Sequence, residues 1–277
     1  YTLASCVSIV LCLTLGYGWL INSGDITFGR LNAIAFQEVQ WYHAMAPAIL
    51  LLLTRIGIPV STTFLVLSAF ASTFVLEKML VKSIMGYGVA AVIAYALWIV
   101  ISKCINEKFD HPTHPKAWRI AQWLTTGFLW YTWVSHDMAN IAVFLPRELP
   151  VEMLIGVMAV CTILLFYIFY HKGGKIQKIV LSKTGTRYVR SATIIDFIYA
   201  FVLLYFKQYN DIPMSTTWVF VGLLCGRELA IATINKEYKL GYVFPLIGKD
   251  FLKMISGLLV SVAIVLTIHY ILIPNGL

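Results

Sequence analysis

Long apolar segments alternate with shorter polar ones along the whole chain. Segments with the length of a membrane-spanning helix lie at residues 3–21, 83–102, 120–145, 151–170 and 251–273. An α-helix of about 20 apolar residues crosses the roughly 30 Å hydrocarbon core of a bilayer. The pattern therefore predicts an all-α integral membrane protein with several transmembrane helices.

Two further apolar segments, at 39–76 and 192–226, are interrupted by nearly the same hexapeptide. It reads IPVSTT from Ile58 to Thr63 and IPMSTT from Ile212 to Thr217, 154 positions later. Proline ends a helix, and serine or threonine favours the start of the next one. Each copy therefore predicts a break between two helices, and the pair indicates an internal duplication.

The order of elements around the two hexapeptides also repeats. In each half, a span is followed by a polar loop, the broken segment, a second loop and another span. Only the span at 120–145 lacks a partner, and the repeat predicts that this partner precedes Tyr1. The predicted division is a first repeat at 1–102 with its hairpin at about 39–76, a linker at 103–119, and a second repeat at 120–277 with its hairpin at about 192–226.

Composition supports a membrane protein. The 277 residues are 60% hydrophobic and 12% charged, with a mean hydropathy of +0.81, whereas a soluble domain carries about 25% charged residues. The five cysteines form no CxxC pair. We interpret them as buried apolar side chains rather than as metal or redox ligands.

The basic residues decide between two topologies for the broken segments. If each segment is one span plus a short piece, each half crosses the membrane an even number of times. If each is a re-entrant hairpin with short arms, the halves are inverted and fifteen of the 21 basic residues collect on one side. Cytoplasmic loops are enriched in Lys and Arg. The charges therefore favour two inverted repeats, each with transmembrane helices and a re-entrant helical hairpin, in a cell membrane with loops 103–119, 171–190 and 227–250 cytoplasmic and the C-terminus outside.

The hydroxyl triplet in each hexapeptide is the first candidate site. A hairpin tip presents the free N–H groups and the positive dipole end of its second helix, and Ser and Thr hydroxyls add donors beside them. This arrangement binds anions, and two matched copies favour a substrate site over the alternative, a simple serine N-cap. The candidate substrate-binding residues are Ser61, Thr62, Thr63, Ser215, Thr216 and Thr217.

An ionisable cluster lies inside the 120–145 span. Asp137 and Asn140 are three residues apart and share a helix face, and their oxygens are hard ligands suited to Na⁺. A carboxylate within a span marks a functional site by default, and the neighbouring His136 is a candidate proton relay. The alternative is that Asp137 lies at the outer end of the span and faces lipid headgroups.

Arg55 and Lys207 each precede a hairpin tip by a few residues. A cation beside each tip would favour an anionic substrate, which makes both residues candidates for substrate binding. Alternatively, the two side chains extend to the membrane interface or pair with a neighbour such as Asp211.

These motifs resemble those of the inorganic phosphate transporter family, the Pit-type sodium/phosphate symporters. The family has a Pro-Val-Ser-Thr-Thr-His motif in each inverted repeat, matched here by residues 59–63 and 213–217. An Asp-x-x-Asn element that precedes the motif is matched by Asp137 and Asn140. The resemblance implies that both triplets line a phosphate site and that Asp137 and Asn140 bind the coupling cation.

The chain departs from the family pattern at positions next to these motifs, as a divergent member would. Phe64 and Trp218 stand where the family has a histidine after each triplet. Val134, Ser135 and His136 stand where Gly-Gly-Asn precedes the family aspartate. Phosphate, sulfate and other oxyanions are therefore all open as substrates.

The residues and the resemblance together predict a secondary active transporter of an inorganic oxyanion, phosphate first, coupled to Na⁺ or H⁺ by alternating access. The expected partners are the anion and the lipid bilayer, with a homodimer as an open alternative and no cofactor except Na⁺ as coupling ion. Enzyme and nucleic-acid-binding motifs do not occur in the sequence. The alternative function is a non-transporting membrane sensor, scaffold or complex subunit that retains the transporter fold.

Overall fold

The computed structural model describes residues 2–56, 60–104, 115–172, 189–234, 240–267 and 270. The first two residues of the first hexapeptide, at 58–59, lie outside these residues, as does most of the predicted loops at 103–119 and 171–190. The described part is all-helical and contains no strand.

Ten α-helices and one short 3₁₀ helix make up the described part of the chain. Their bounds are α1 Thr2–Ile21, the 3₁₀ helix Trp41–Ala44, α2 Met45–Ile56, α3 Thr62–Leu67, α4 Thr73–Cys104, α5 Pro115–Asp137, α6 Ala139–Ala142, α7 Val151–Tyr170, α8 Val189–Tyr209, α9 Thr216–Ile234 and α10 Leu240–Thr267. Six of them, α1, α4, α7, α8, α9 and α10, are long and apolar enough to cross a membrane. These six apolar helices and the absence of strands in the described residues therefore confirm the prediction of an all-helical, membrane-embedded protein.

Several helix ends differ from the predicted spans. Helix α4 begins at Thr73 rather than at Ser83, and α10 begins at Leu240 rather than at Phe251. Both helices continue through charged residues that hydropathy alone excludes from a span. The predicted span at 120–145 is divided at Met138 into α5 and α6.

The two broken segments have different arm lengths. In the first, α2 has 12 residues and α3 has 6, so neither is long enough to cross a bilayer. In the second, α8 has 21 residues and α9 has 19, and each is as long as a full span. Arms too short to cross a bilayer are therefore present in the first segment only.

Helices α4 and α9 form the most extensive helix pair, and two glycines of α9 make their close approach possible. A Cβ atom added at Gly226 would lie 2.0 Å from the Ala91 carbonyl oxygen, and one at Gly222 would lie 2.3 Å from that of Tyr87. The two glycines are four residues apart, the GxxxG spacing that lets helix backbones touch. This contact joins the first half of the chain to the helix that follows the second triplet.

Helix α5 packs along α8 and also contacts α1. Within the α5–α8 interface, Thr126 donates a hydrogen bond of 2.6 Å to Asp196. The short helices α3 and α6 contact each other near the C-terminal end of α5. The end of α5, where Asp137 lies, is thereby surrounded by α3, α6 and the start of α9.

Candidate functional site

The two hydroxyl triplets meet at one carboxylate. Thr216, the first residue of α9, donates a hydrogen bond of 2.8 Å from its Oγ1 to Oδ2 of Asp137. Thr63, in α3, donates a longer one of 3.5 Å from its Oγ1 to Oδ1 of the same residue. Both threonines are buried. One threonine from each triplet therefore shares the carboxylate that the resemblance assigned to cation binding.

Asn140 completes the arrangement around this carboxylate. Its Nδ2 donates to Oδ1 of Asp137 at 3.1 Å and to Oγ1 of Thr63 at 3.4 Å. The Oδ1 atom of Asn140 is buried and has no hydrogen-bond partner in the described part of the chain. An acceptor without a donor in this position is a ready ligand for a cation.

The helix break at Met138 brings the two polar residues together. Asp137 ends α5, and Asn140 lies in α6, which begins one residue after the break. Their expected proximity is therefore present, although they lie on two short helical pieces rather than on one face of a single helix.

The two serines of the triplets cap helices. Ser61 Oγ accepts a hydrogen bond from the backbone N–H of Phe64 at 3.2 Å, and Ser215 Oγ accepts one from that of Trp218 at 3.2 Å. The N-cap alternative thus describes the serines, whereas one threonine of each triplet reaches the carboxylate. Thr62 and Thr217 are partly buried.

Phe64 and Trp218, the aromatic residues that follow the two triplets, contact each other. The rings of Phe64 and Trp218 have centroids 5.6 Å apart, and both side chains are buried. Because each follows its triplet directly, this contact joins the starts of α3 and α9 beside Asp137. An apolar pair here closes one side of the space between the triplets.

His136 faces α8 rather than the hydroxyls around its neighbour Asp137. Its Nε2 donates to the backbone carbonyl of Leu203 at 2.9 Å, since a carbonyl oxygen only accepts. The buried Nδ1 atom has no partner among the described residues. The described contacts of His136 thus link α5 to α8.

The two candidate cations of the broken segments are not in hydrogen-bond contact with the described triplet residues. Lys207 donates to the Tyr131 hydroxyl at 3.0 Å, and its Nζ lies 3.8 Å from the centre of the Phe28 ring. Arg55 is exposed at the end of α2. The structure thus places Lys207 beside aromatic rings and Arg55 at the surface.

Two other cations lie next to the second triplet, and sequence reasoning missed them. Lys82 of α4 donates to three oxygens of the segment after α8, at Asn210 and Ile212, over 2.7 to 2.9 Å. Arg30 donates to the backbone carbonyl of Lys207 at 2.9 Å and to that of Asn210. Burial lowers the pKa of Arg30 to about 10, so it stays charged at neutral pH. Lys82 lies inside an apolar helix, which is a signal of function. It was missed because the predicted span began at the next residue, Ser83.

A cavity of about 750 Å³ adjoins Asp137 between α5 and α7. Apolar side chains form nearly all of its wall, among them Trp130, Trp133 and Leu165, and Asp137 is its acidic residue. The carboxylate is thus partly exposed on this side and enclosed by hydroxyls on the other.

Comparison of the chain with models of protein families, with curated proteins and with solved structures finds no match. Within the described ranges, no group of three or more His, Cys, Asp or Glu side chains could hold a metal ion. The oxygens around Asp137 instead come from one carboxylate, one amide and two hydroxyls, which suits a singly charged cation.

Proposed function

We propose that the protein is a secondary active transporter of an inorganic oxyanion, with phosphate as the first candidate and Na⁺ or H⁺ as the coupling ion. The observation that carries the proposal is the convergence of Thr63 and Thr216 on Asp137. One threonine from each copy of the duplicated motif reaches the same carboxylate, the third residue of the first triplet and the second residue of the second. Transporters with internal repeats place their substrate sites where the repeats meet.

The hydrogen bonds of Asp137 supply a coupling mechanism. Its carboxylate accepts the two threonine hydroxyls that an anion would need. A second negative charge beside it is unfavourable at membrane depth. A cation at Asp137 and Asn140, or a proton on Asp137, neutralises the carboxylate and frees the hydroxyls to donate to the anion. Anion binding therefore requires prior cation binding.

We further propose that the two halves are inverted repeats and that the first triplet lies at a hairpin tip within the membrane. The short arms α2 and α3 support a re-entrant hairpin in the first half. The excess of basic residues in the loops at 103–119, 171–190 and 227–250 supports a cytoplasmic position for these loops and an outer C-terminus in a cell membrane. Alternating access then moves one repeat against the other around Asp137.

Uptake into proteoliposomes tests the proposal. We expect vesicles containing the wild-type protein to accumulate labelled phosphate or sulfate faster than empty vesicles when an inward Na⁺ or H⁺ gradient is imposed. The Thr216→Val variant should lose this uptake, because valine keeps the shape of threonine and removes the hydroxyl that reaches Asp137.

Thr233→Val is the matched control for this experiment. Thr233 lies on the same helix as Thr216, and its hydroxyl bonds to the Leu229 carbonyl of its own turn and to the Tyr95 hydroxyl rather than to Asp137. Its variant should transport like the wild type. Uptake equal to that of empty vesicles for every anion and both gradients would refute transport.

One observation favours the second candidate function, a membrane sensor, scaffold or complex subunit without transport. The contact between Phe64 and Trp218 joins the two helix starts with apolar rings. A family histidine at either position would supply a polar group next to the triplets. A wild-type protein that is folded, membrane-embedded and inactive in uptake is the result that this function predicts.

A further inference from the structure

The connector between α8 and α9 leads directly to the second triplet, and residues of the first half hold it. Lys82 donates to the Asn210 carbonyl at 2.9 Å, to the Asn210 side-chain oxygen at 2.7 Å and to the Ile212 carbonyl at 2.7 Å. The next residue, Ser83, accepts a hydrogen bond of 2.9 Å from the backbone N–H of Ser215. Two consecutive residues of α4 therefore bind both ends of the connector.

Arg30, in the polar segment after α1, holds the same connector from another direction. It donates to the backbone carbonyls of Lys207 and Asn210. These carbonyls belong to the last turn of α8 and the residue after it. The C-terminal end of a helix has unpaired carbonyls and a partial negative charge, which is why cations stabilise it.

Both cations are removed from water. The exposed fraction is 0% for Arg30 and 3% for Lys82. A buried charge is unfavourable unless several hydrogen bonds compensate it. An uncharged side chain could fill the same space at lower cost, so two buried cations on one short connector indicate that its position matters.

We propose that Arg30, Lys82 and Ser83 form a clamp that positions the second triplet against Asp137. The clamp fixes the connector, Ser215 then caps α9, and Thr216 at the first position of α9 reaches the carboxylate. The three residues are positioning residues, since their described contacts are with the connector rather than with the carboxylate. The clamp makes the second triplet dependent on the first half of the chain.

The clamp should act on one triplet only. Thr63 is held through Asn140 and Asp137, and α3 begins at its own cap, Ser61. Removal of a clamp residue is therefore expected to loosen the connector and the start of α9, and to leave α3 in place. A general loss of stability would instead loosen α3 as well as the connector and the start of α9.

Hydrogen–deuterium exchange, measured by mass spectrometry on the full chain in lipid nanodiscs, separates these outcomes. We expect Lys82→Met to speed exchange in peptides covering 210–218 by about tenfold or more, since charge-assisted hydrogen bonds to the connector are lost. Peptides covering 61–67 should exchange as in the wild type. Equal change in both regions, or no change at 210–218, would overturn the proposal.

Lys78→Met is the matched control. Lys78 lies one turn earlier on α4, is exposed, and contacts the ring of Phe74 at 4.0 Å instead of the connector. The Lys78→Met variant should leave hydrogen–deuterium exchange at 210–218 unchanged. If Lys82→Met does not fold, Ser83→Ala replaces it, with faster exchange expected at 212–216 only, and unchanged exchange there would overturn the clamp.

The functional consequence of the clamp rests on the proposed function, whereas the exchange measurement does not. If the wild type binds phosphate or sulfate, Lys82→Met should weaken that binding and Lys78→Met should not. If the wild type binds neither anion, the proposed function is wrong and the exchange result still decides whether the clamp exists.

Discussion

Asp137→Asn is expected to abolish gradient-driven oxyanion uptake while the protein stays folded. Asparagine keeps the size of the side chain, so the packing around position 137 should be preserved. It lacks the negative charge that would bind a cation or a proton. Loss of a buried charged ligand is expected to lower cation-coupled uptake by about 100-fold, to the level of empty vesicles.

The same variant should bind the anion without a cation. A neutral side chain at position 137 imitates the cation-loaded state, in which Thr63 and Thr216 are free to donate to the anion. We therefore expect binding of labelled phosphate or sulfate to become independent of Na⁺ and of pH in Asp137→Asn. Glu152→Gln, an exposed carboxylate at the start of α7, is the control and should behave like the wild type. Coupled uptake by Asp137→Asn at the wild-type rate would contradict the assigned role.

Gly226→Ala is expected to destabilise the protein strongly. The added methyl group would lie 2.0 Å from the Ala91 carbonyl oxygen, which belongs to the backbone of α4 and cannot move aside. Forcing the two helices apart is expected to cost about 3 kcal/mol. The measurement is the apparent melting temperature in detergent, followed by tryptophan fluorescence and by the fraction of monodisperse protein.

Gly156→Ala is the same substitution at a site without neighbours. Gly156 lies within α7, is exposed, and has no atom within 4 Å of an added Cβ. Alanine is the better helix former, so this variant should be as stable as the wild type or slightly more stable. Similar melting temperatures for the two variants would show that α4 and α9 do not pack as closely as described.

Most of the long helices could be predicted from the sequence, because an apolar segment of about 20 residues is sufficient to indicate a membrane-spanning helix. The segments at 3–21 and 151–170 match α1 and α7 almost residue for residue. The starts of α4 and α10 could not be predicted in this way, since both helices extend beyond their apolar part. A helix in a membrane protein continues where packing supports it, and hydropathy reports only the part that faces hydrocarbon.

The residues that meet at Asp137 were among those singled out in the sequence, but their contacts were not predicted. Repetition identified the two triplets, and the cost of a carboxylate within a span identified Asp137. Which hydroxyl of each triplet reaches the carboxylate depends on the helix starts: Ser61 and Ser215 cap α3 and α9. Capping turns the serine toward its own helix, so a threonine is left to face Asp137.

The clamp could not be predicted because most of its contacts are made to the backbone. Arg30 and Lys82 bind carbonyl oxygens of residues 207–212, and any residue type offers a carbonyl. The sequence of the connector therefore does not predict which cations bind it. Only the position of Lys82 within α4 carried a signal.

The central claim is that both triplets and Asp137 form one anion site, and equilibrium binding of radiolabelled phosphate and sulfate to the purified protein tests it most directly. We predict binding in the presence of Na⁺ or at acid pH, with Thr63→Val and Thr216→Val each lowering the affinity by about tenfold and Thr233→Val leaving it unchanged. Anion binding that either of the first two variants leaves intact, or no binding by the wild type under any of these conditions, would contradict the claim.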